Sequence, residues 1–61
     1  MTGLQLKVER TKRRVRVTDL ARVMNVTHAR VSQIEGQAVV TDDAAEKYLK
    51  ALSTFLAQTV A

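Results

Sequence analysis

The stretch Val17–Glu35, VTDLARVMNVTHARVSQIE, decides how this chain folds. Its apolar residues recur at helical spacing in two short runs, which predicts two amphipathic helices. Asn25 lies between the runs, and asparagine tolerates the left-handed backbone conformation in which many helices end. Thr27 follows, and its hydroxyl can cap the second helix by accepting a backbone hydrogen bond. The stretch therefore predicts two helices joined by a tight turn.

Both helices are expected to contribute to one core through Leu20, Ala21, Met24, Val31 and Ile34. Ala21 lies where helices that cross at roughly 90–120° approach most closely, so its small side chain suits that position. Val26 is expected to fold back beneath the turn. This packing leaves the polar side of the second helix facing outward.

The arrangement resembles the helix-turn-helix of Cro/XRE-type phage and bacterial repressors. The residues that carry the resemblance are Leu20-Ala21, Met24, Asn25-Val26 and the ending Val31-Ser32-Gln33-Ile34-Glu35-Gly36. Asn25 replaces the usual turn glycine, and Val17 stands where many members have a glutamine that braces the DNA backbone. The resemblance implies an all-α, four-helix, lambda-repressor-like domain with its helix-turn-helix at about residues 17–35.

The segment before this motif predicts a first helix from about Leu4 to Arg14. Its buried stripe is expected from residues at helical spacing, Leu4, Val8, Thr11 and Val15. Leu6 points away from that stripe, so it either packs beneath the last helix or contacts a partner. Residues 1–3 are expected to be frayed.

The connecting segments carry further signals. Residues 13–17 alternate basic and apolar side chains, which also suits a short strand. Thr18 is expected to cap the second helix, and Asp19 to place negative charge at its positive end. Gly36 suits the end of the third helix, and residues 37–40 predict a loop that exposes its two valines.

The last helix is expected at about residues 42–58, and it is longer than the others. Thr41-Asp42-Asp43 is a favourable helix start, because threonine caps and acidic residues suit the positive helix end. Tyr48, Leu49 and Leu52 are expected to close the core over the first and third helices.

Positive charge is concentrated in one half of the chain. Residues 1–30 contain eight Lys and Arg against two acidic residues, a net charge of +6, whereas residues 31–61 contain two against four, a net charge of −2. The basic half includes the helix-turn-helix segment, as expected of a protein that binds a polyanion such as DNA. The 61 residues suit a single domain. The lack of cysteine, of a membrane-spanning run and of a signal-peptide pattern favours the cytoplasm, and the resemblance implies a bacterial or phage protein.

The outer side of the third helix is the candidate reading surface, since the resembled family places this helix in the major groove. Base contacts are expected from Thr27, His28, Ala29, Arg30, Ser32 and Gln33. Gln33 can bond adenine through both ends of its amide, and Arg30 can donate to guanine or phosphate. Contacts that position the protein on phosphate are expected from Lys12, Arg13, Arg14, Arg16, Thr18 and Arg22.

Other chemistries find little support in the sequence. His28 is the only histidine and has no cysteine or suitably spaced carboxylate beside it, so neither a metal site nor a cofactor is expected. Ser32 and Ser53 lack a nearby His–Asp arrangement, and there is no glycine-rich phosphate loop, so an enzyme is not expected. Glu35 is expected to pair with an arginine of the first helix rather than to face DNA.

The resulting hypothesis is a sequence-specific, double-stranded DNA-binding regulator, a repressor, that acts as a homodimer on an inverted repeat. The dimer contact is expected on the last helix at Leu52, Phe55, Leu56 and Val60. Two alternatives stay open. The same apolar stripe suits an antitoxin or accessory module that binds a protein partner. Residues 13–21 also resemble the entry to the motif of winged-helix regulators, which need a β-hairpin after the third helix.

Overall fold

The structure, a computed structural model, describes residues 1–59. This part of the chain contains four helices. They are α1 (Gly3–Lys12), α2 (Val17–Met24), α3 (His28–Glu35) and α4 (Asp42–Thr59). Both α1 and α2 pack against α3 and α4. None of residues 1–59 lies in a strand, so the expected all-α class is confirmed and the strand suggested for residues 13–17 is wrong.

The core draws on every helix and on two of the connections. Its buried apolar members are Leu6, Val15, Leu20, Ala21, Val31, Ile34, Val40, Ala45, Tyr48, Ala51 and Leu52. Leu49 and Met24 are only partly buried against it. Burial of apolar surface on this scale is the main favourable term for so short a chain.

The buried face of α1 differs from the predicted stripe. Leu6 is fully buried, whereas Leu4 and Val8 are 66% and 50% exposed. The inward face consists of Gly3, Leu6 and Arg10, which recur at helical spacing. Apolar spacing alone does not indicate this face, because one of its members is Arg10, whose charged group has partners inside the fold.

The start of the chain is held in place, so the expected fraying of residues 1–3 is wrong. Thr2 and Gln5 form a capping box at the start of α1, with hydrogen bonds of 2.8 and 3.0 Å. The Gly3 amide donates to the Gln37 carbonyl at 2.9 Å, and the Val40 amide donates to the Met1 carbonyl at 2.8 Å. These bonds tie the N-terminus to the loop between α3 and α4.

Helices α1 and α2 end in the same way. Arg14 and Asn25 adopt left-handed conformations with φ of 57° and 58°. The Val15 amide then donates to the Arg10 carbonyl at 3.2 Å, and the Val26 amide to the Ala21 carbonyl at 2.9 Å. This six-to-one bond is the mark of a Schellman motif, which satisfies the last carbonyls of a helix. The expectation for Asn25 is therefore confirmed, and Arg14 repeats it one helix earlier.

The other helix ends agree in part with the sequence signals. Thr27 Oγ1 accepts from the Arg30 amide at 3.2 Å, Thr41 Oγ1 accepts from the Ala44 amide at 3.2 Å, and α3 ends at Gly36. Thr18 is not a cap, because α2 already begins at Val17.

The two valines of the connecting loop differ in burial. Val39 is 78% exposed, as expected, but Val40 is buried in the core. Val26 is 38% exposed, so it does not fold completely beneath the turn. Its side chain lines an open cavity between the α2–α3 turn and the start of α4.

A buried polar network joins α1, α3 and α4. The Arg10 guanidinium lies 2.7 Å from Glu35 through Nε, and its Nη1 donates to the Val15 carbonyl at 2.8 Å. The Tyr48 hydroxyl donates to the same Glu35 carboxylate. Burial raises the pKa of Tyr48, so this hydroxyl stays protonated and continues to donate. The expected pairing of Glu35 with an arginine of the first helix is confirmed.

No helix in residues 1–59 combines the length and the apolar character needed to cross a membrane.

Candidate nucleic-acid interface

The outer face of α3 is exposed along its whole length. All six residues predicted to contact bases are exposed, namely Thr27, His28, Ala29, Arg30, Ser32 and Gln33. Val31 and Ile34, on the opposite face, are buried in the core. The fold therefore brings the predicted reading residues together on one surface, while contact with a base stays a prediction.

The position of α3 is fixed at both ends. Its N-terminus is capped by Thr27, and its C-terminal residue Glu35 is bound by Arg10 and Tyr48. A Cβ atom on Gly3 would lie 2.6 Å from the Ile34 carbonyl oxygen, so α1 approaches the backbone of α3 more closely than any larger residue allows. A helix held in this way presents its outer side chains with little freedom to tilt.

Two of the predicted reading residues contact each other. Arg30 Nη1 donates to Gln33 Oε1 at 3.0 Å. The residues are one helical turn apart, the spacing at which side chains on a helix surface meet. This contact was not predicted, although the i, i+3 spacing of an arginine and a glutamine was readable from the sequence.

All six predicted phosphate contacts are exposed, but half of them form ion pairs within the chain. Arg16 pairs with Asp19 at 3.0 Å, and this bond lowers the pKa of the Asp19 carboxyl. Arg13 pairs with Glu9 at 2.6 Å, and Lys12 lies 3.6 Å from the same carboxylate. Arg13 and Lys12 together lower the pKa of Glu9. The two pairs of Glu9 are largely exposed and therefore weak, so Lys12 and Arg13 can exchange their acidic partner for a phosphate. The Arg16 pair differs, because the Asp19 side chain is only 11% exposed.

The other phosphate candidates are not paired with acids. Arg14 and Arg22 form no ion pair with any of residues 1–59, and Arg14 projects from the strained end of α1. Thr18 is exposed in the first turn of α2, which also contains the Asp19 carboxylate. Contact of these three residues with phosphate stays a prediction.

Not all four residues of the predicted dimer contact are available on the surface of the fold. Leu52 has no exposed surface and belongs to the core, so its assignment to a dimer contact is wrong. Phe55 and Leu56 are partly buried against the core, and Val60 lies outside the described residues. Leu52 is buried because α4 packs against both α1 and α2, and its side chain fills the space between them. Pairing through Phe55 and Leu56, with a second copy or with another protein, stays a prediction.

The winged-helix alternative requires a β-hairpin after α3. Residues 37–41 form an irregular connection and α4 begins at Asp42, so within residues 1–59 this requirement is not met.

Comparison with protein-family models, curated proteins and solved structures gave no match to this chain. The interpretation of the surface therefore depends on its own geometry and charge.

Proposed function

We propose that the chain is a sequence-specific regulator that binds double-stranded DNA through a lambda-repressor-like helix-turn-helix formed by α2 and α3. The observation that carries this proposal is that six polar or small side chains are exposed on one face of α3. The opposite face is buried, and the N-terminus of the helix is capped. The major groove admits one α-helix, whose outer side chains can then reach base edges.

The distribution of charge supports the same proposal. The net charge of +6 in residues 1–30 lies in the half that supplies α1, α2 and the start of α3. Arg14, Thr18 and Arg22 belong to the α1–α2 segment that precedes α3 in the chain, and all three are exposed. Cations on such a segment can hold the backbone of a duplex while α3 enters the groove.

We further propose that the regulator acts as a homodimer on an inverted repeat and represses transcription. One short helix reads only a few base pairs, and a two-fold pair doubles the contact and requires half-sites one helical turn apart. Repression follows if an operator that overlaps a promoter is covered.

Titration against duplexes selected from a randomised pool tests the proposal. We expect the selected duplex to bind at least about a thousandfold more tightly than a scrambled duplex at physiological salt. The logarithm of affinity should fall with the logarithm of salt concentration by about 0.9 for each phosphate that is neutralised. Equal affinity for both duplexes, or affinity that does not change with salt, would contradict it.

A further inference from the structure

Arg30 and Gln33 form a connected pair on the face proposed to read DNA. Arg30 Nη1 lies 3.0 Å from Gln33 Oε1, and both side chains are exposed. Arg30 forms no ion pair with any of residues 1–59, so its charge is not neutralised within the described chain. Its backbone is fixed as well, because its amide donates to the capping Thr27.

The contact fixes how the glutamine amide is oriented. A guanidinium group has N–H donors and no acceptor, so only the amide oxygen of Gln33 can face Arg30. The amide NH₂ group then points away from Arg30 with both of its N–H donors available. The hydrogen bond is charge-assisted, which makes it stronger than a bond between neutral groups, and it strengthens further where water is excluded.

Together the two side chains offer many donors and little acceptor capacity. Arg30 keeps four N–H donors besides the one used on Gln33, and Gln33 keeps two N–H donors and one lone pair. In the major groove guanine presents two acceptors, N7 and O6, whereas adenine presents one acceptor and the N6 amino donor. An adenine at this position would place its amino group against the guanidinium donors.

We propose that Arg30 and Gln33 act as one recognition unit that selects guanine rather than adenine in each half-site, an inference that rests on the proposed DNA-binding function. Gln33 alone would favour adenine, because a free glutamine amide matches the donor and acceptor of that base. Arg30 therefore changes the base preference of its neighbour in addition to making its own contacts.

The test compares sites selected from randomised duplexes by the wild-type chain and by two variants. Wild type is expected to select guanine at one base pair of each half-site. Arg30→Met, which keeps a helix-forming side chain of similar length, should change that base pair to adenine and leave the others unchanged. Gln33→Ala should keep guanine there with a smaller preference, and the loss should be roughly 5- to 150-fold in affinity.

The control variant is Lys50→Ala, which removes an exposed side chain of α4 that belongs to neither predicted set of DNA contacts. It should leave the preference at that base pair unchanged. Selection of adenine by wild type at the base pair that Gln33→Ala weakens would overturn the inference while specific DNA binding stands. An Arg30→Met variant with the wild-type preference would overturn it too. If wild type selects no sequence at all, the proposed function fails and the inference fails with it.

Discussion

Two residues in the basic half of the molecule have left-handed backbone conformations, and the conformational free energy that this requires differs between them. Asn25 is one of the few side chains that tolerates this conformation, whereas Arg14 has no such advantage. A position of this kind usually carries glycine. An arginine there stores strain, and strain of this sort is common where a side chain has a function.

Replacement of Arg14 by glycine is expected to separate stability from binding. Arg14→Gly should raise the free energy of unfolding by about 0.5–1 kcal/mol, because the relief of the left-handed strain exceeds the added chain entropy. The same variant should bind DNA more weakly and lower the salt slope by about 1. Chemical denaturation and salt titration measure the two effects.

Asn25→Gly is the matched control for this variant, since it changes the equivalent helix end without removing a cation. Its stability should change little and its DNA affinity should stay that of wild type. A loss of stability in Arg14→Gly would show that Arg14 is not strained, and an unchanged salt slope would show that it does not contact phosphate.

Asp19 makes the stability of the fold depend on pH in a known direction. Its hydrogen bond to Arg16 lowers the pKa of the carboxyl from the ordinary value of 3.8. Since the folded-state pKa lies below the unfolded one, the stabilisation is complete above about pH 4 and is lost as pH falls through the lowered pKa. The difference in unfolding free energy between wild type and Asp19→Asn should therefore shrink toward low pH.

Thermal unfolding measured in steps from pH 7 to pH 2 checks this. In an Arg16→Met background the effect of Asp19→Asn on the unfolding free energy should be smaller at neutral pH. The reason is that the hydrogen bond that lowers the pKa of Asp19 is absent there. A difference that grows as the pH falls has the wrong sign for this account.

Among the elements, α3 is the one on which the proposed function depends, and its C-terminal end is fixed by a charge network. The Arg10 and Glu35 side chains are about nine-tenths buried, at 10% and 8% exposed. Removal of one partner from such a pair leaves the other charge buried without compensation, which costs more than the pair contributes.

Glu35→Gln is expected to lower the free energy of unfolding by about 3–5 kcal/mol, because Arg10 keeps its charge and loses the carboxylate. Tyr48→Phe removes only one donor to Glu35 and should cost about 1.5–3 kcal/mol. Urea denaturation of the two variants measures both losses in the free energy of unfolding and shows which is larger. Equal and small losses in both would mean that the network contributes little to the position of α3.

The contact between α1 and the end of α3 gives a second prediction for this element. Gly3→Ala would place a Cβ atom 2.6 Å from the Ile34 carbonyl, against backbone that cannot move aside cheaply. We expect a loss of about 1–3 kcal/mol, the usual cost of overpacking. Gly36→Ala is the control, because its added Cβ would lie 3.5 Å from the nearest atom and should be tolerated. Identical melting of both variants would contradict the close approach.

At the scale of the whole molecule, the sequence predicted the number of helices, most of their bounds and the core of α2 and α3. It did so because Asn25 and Thr27 act locally, through backbone conformation and capping. The capping box of Thr2 and Gln5 is equally local in origin, and the predicted fraying of residues 1–3 is wrong because of it. The face of α1 could not be read from apolar periodicity, since it depends on Glu35, which lies 25 residues away from Arg10 and satisfies its charge.

The surface proposed to bind DNA was predictable from the sequence in part. Exposure of the six reading residues follows from the helical repeat once Val31 and Ile34 are buried. Leu52 has two predicted roles, one in the core and one in a dimer contact, and only its place in the core is confirmed, because its side chain has no exposed surface. The pairing of Arg30 with Gln33 is a matter of side-chain rotamers and needed coordinates.

Mapping of backbone amide chemical shifts during titration with a selected duplex reports which face of the folded chain contacts DNA. We predict the largest changes at residues 27–33, with smaller changes at Arg14, Thr18 and Arg22 and almost none in the second half of α4. Shifts concentrated in α4, with residues 27–33 unchanged, would contradict the account.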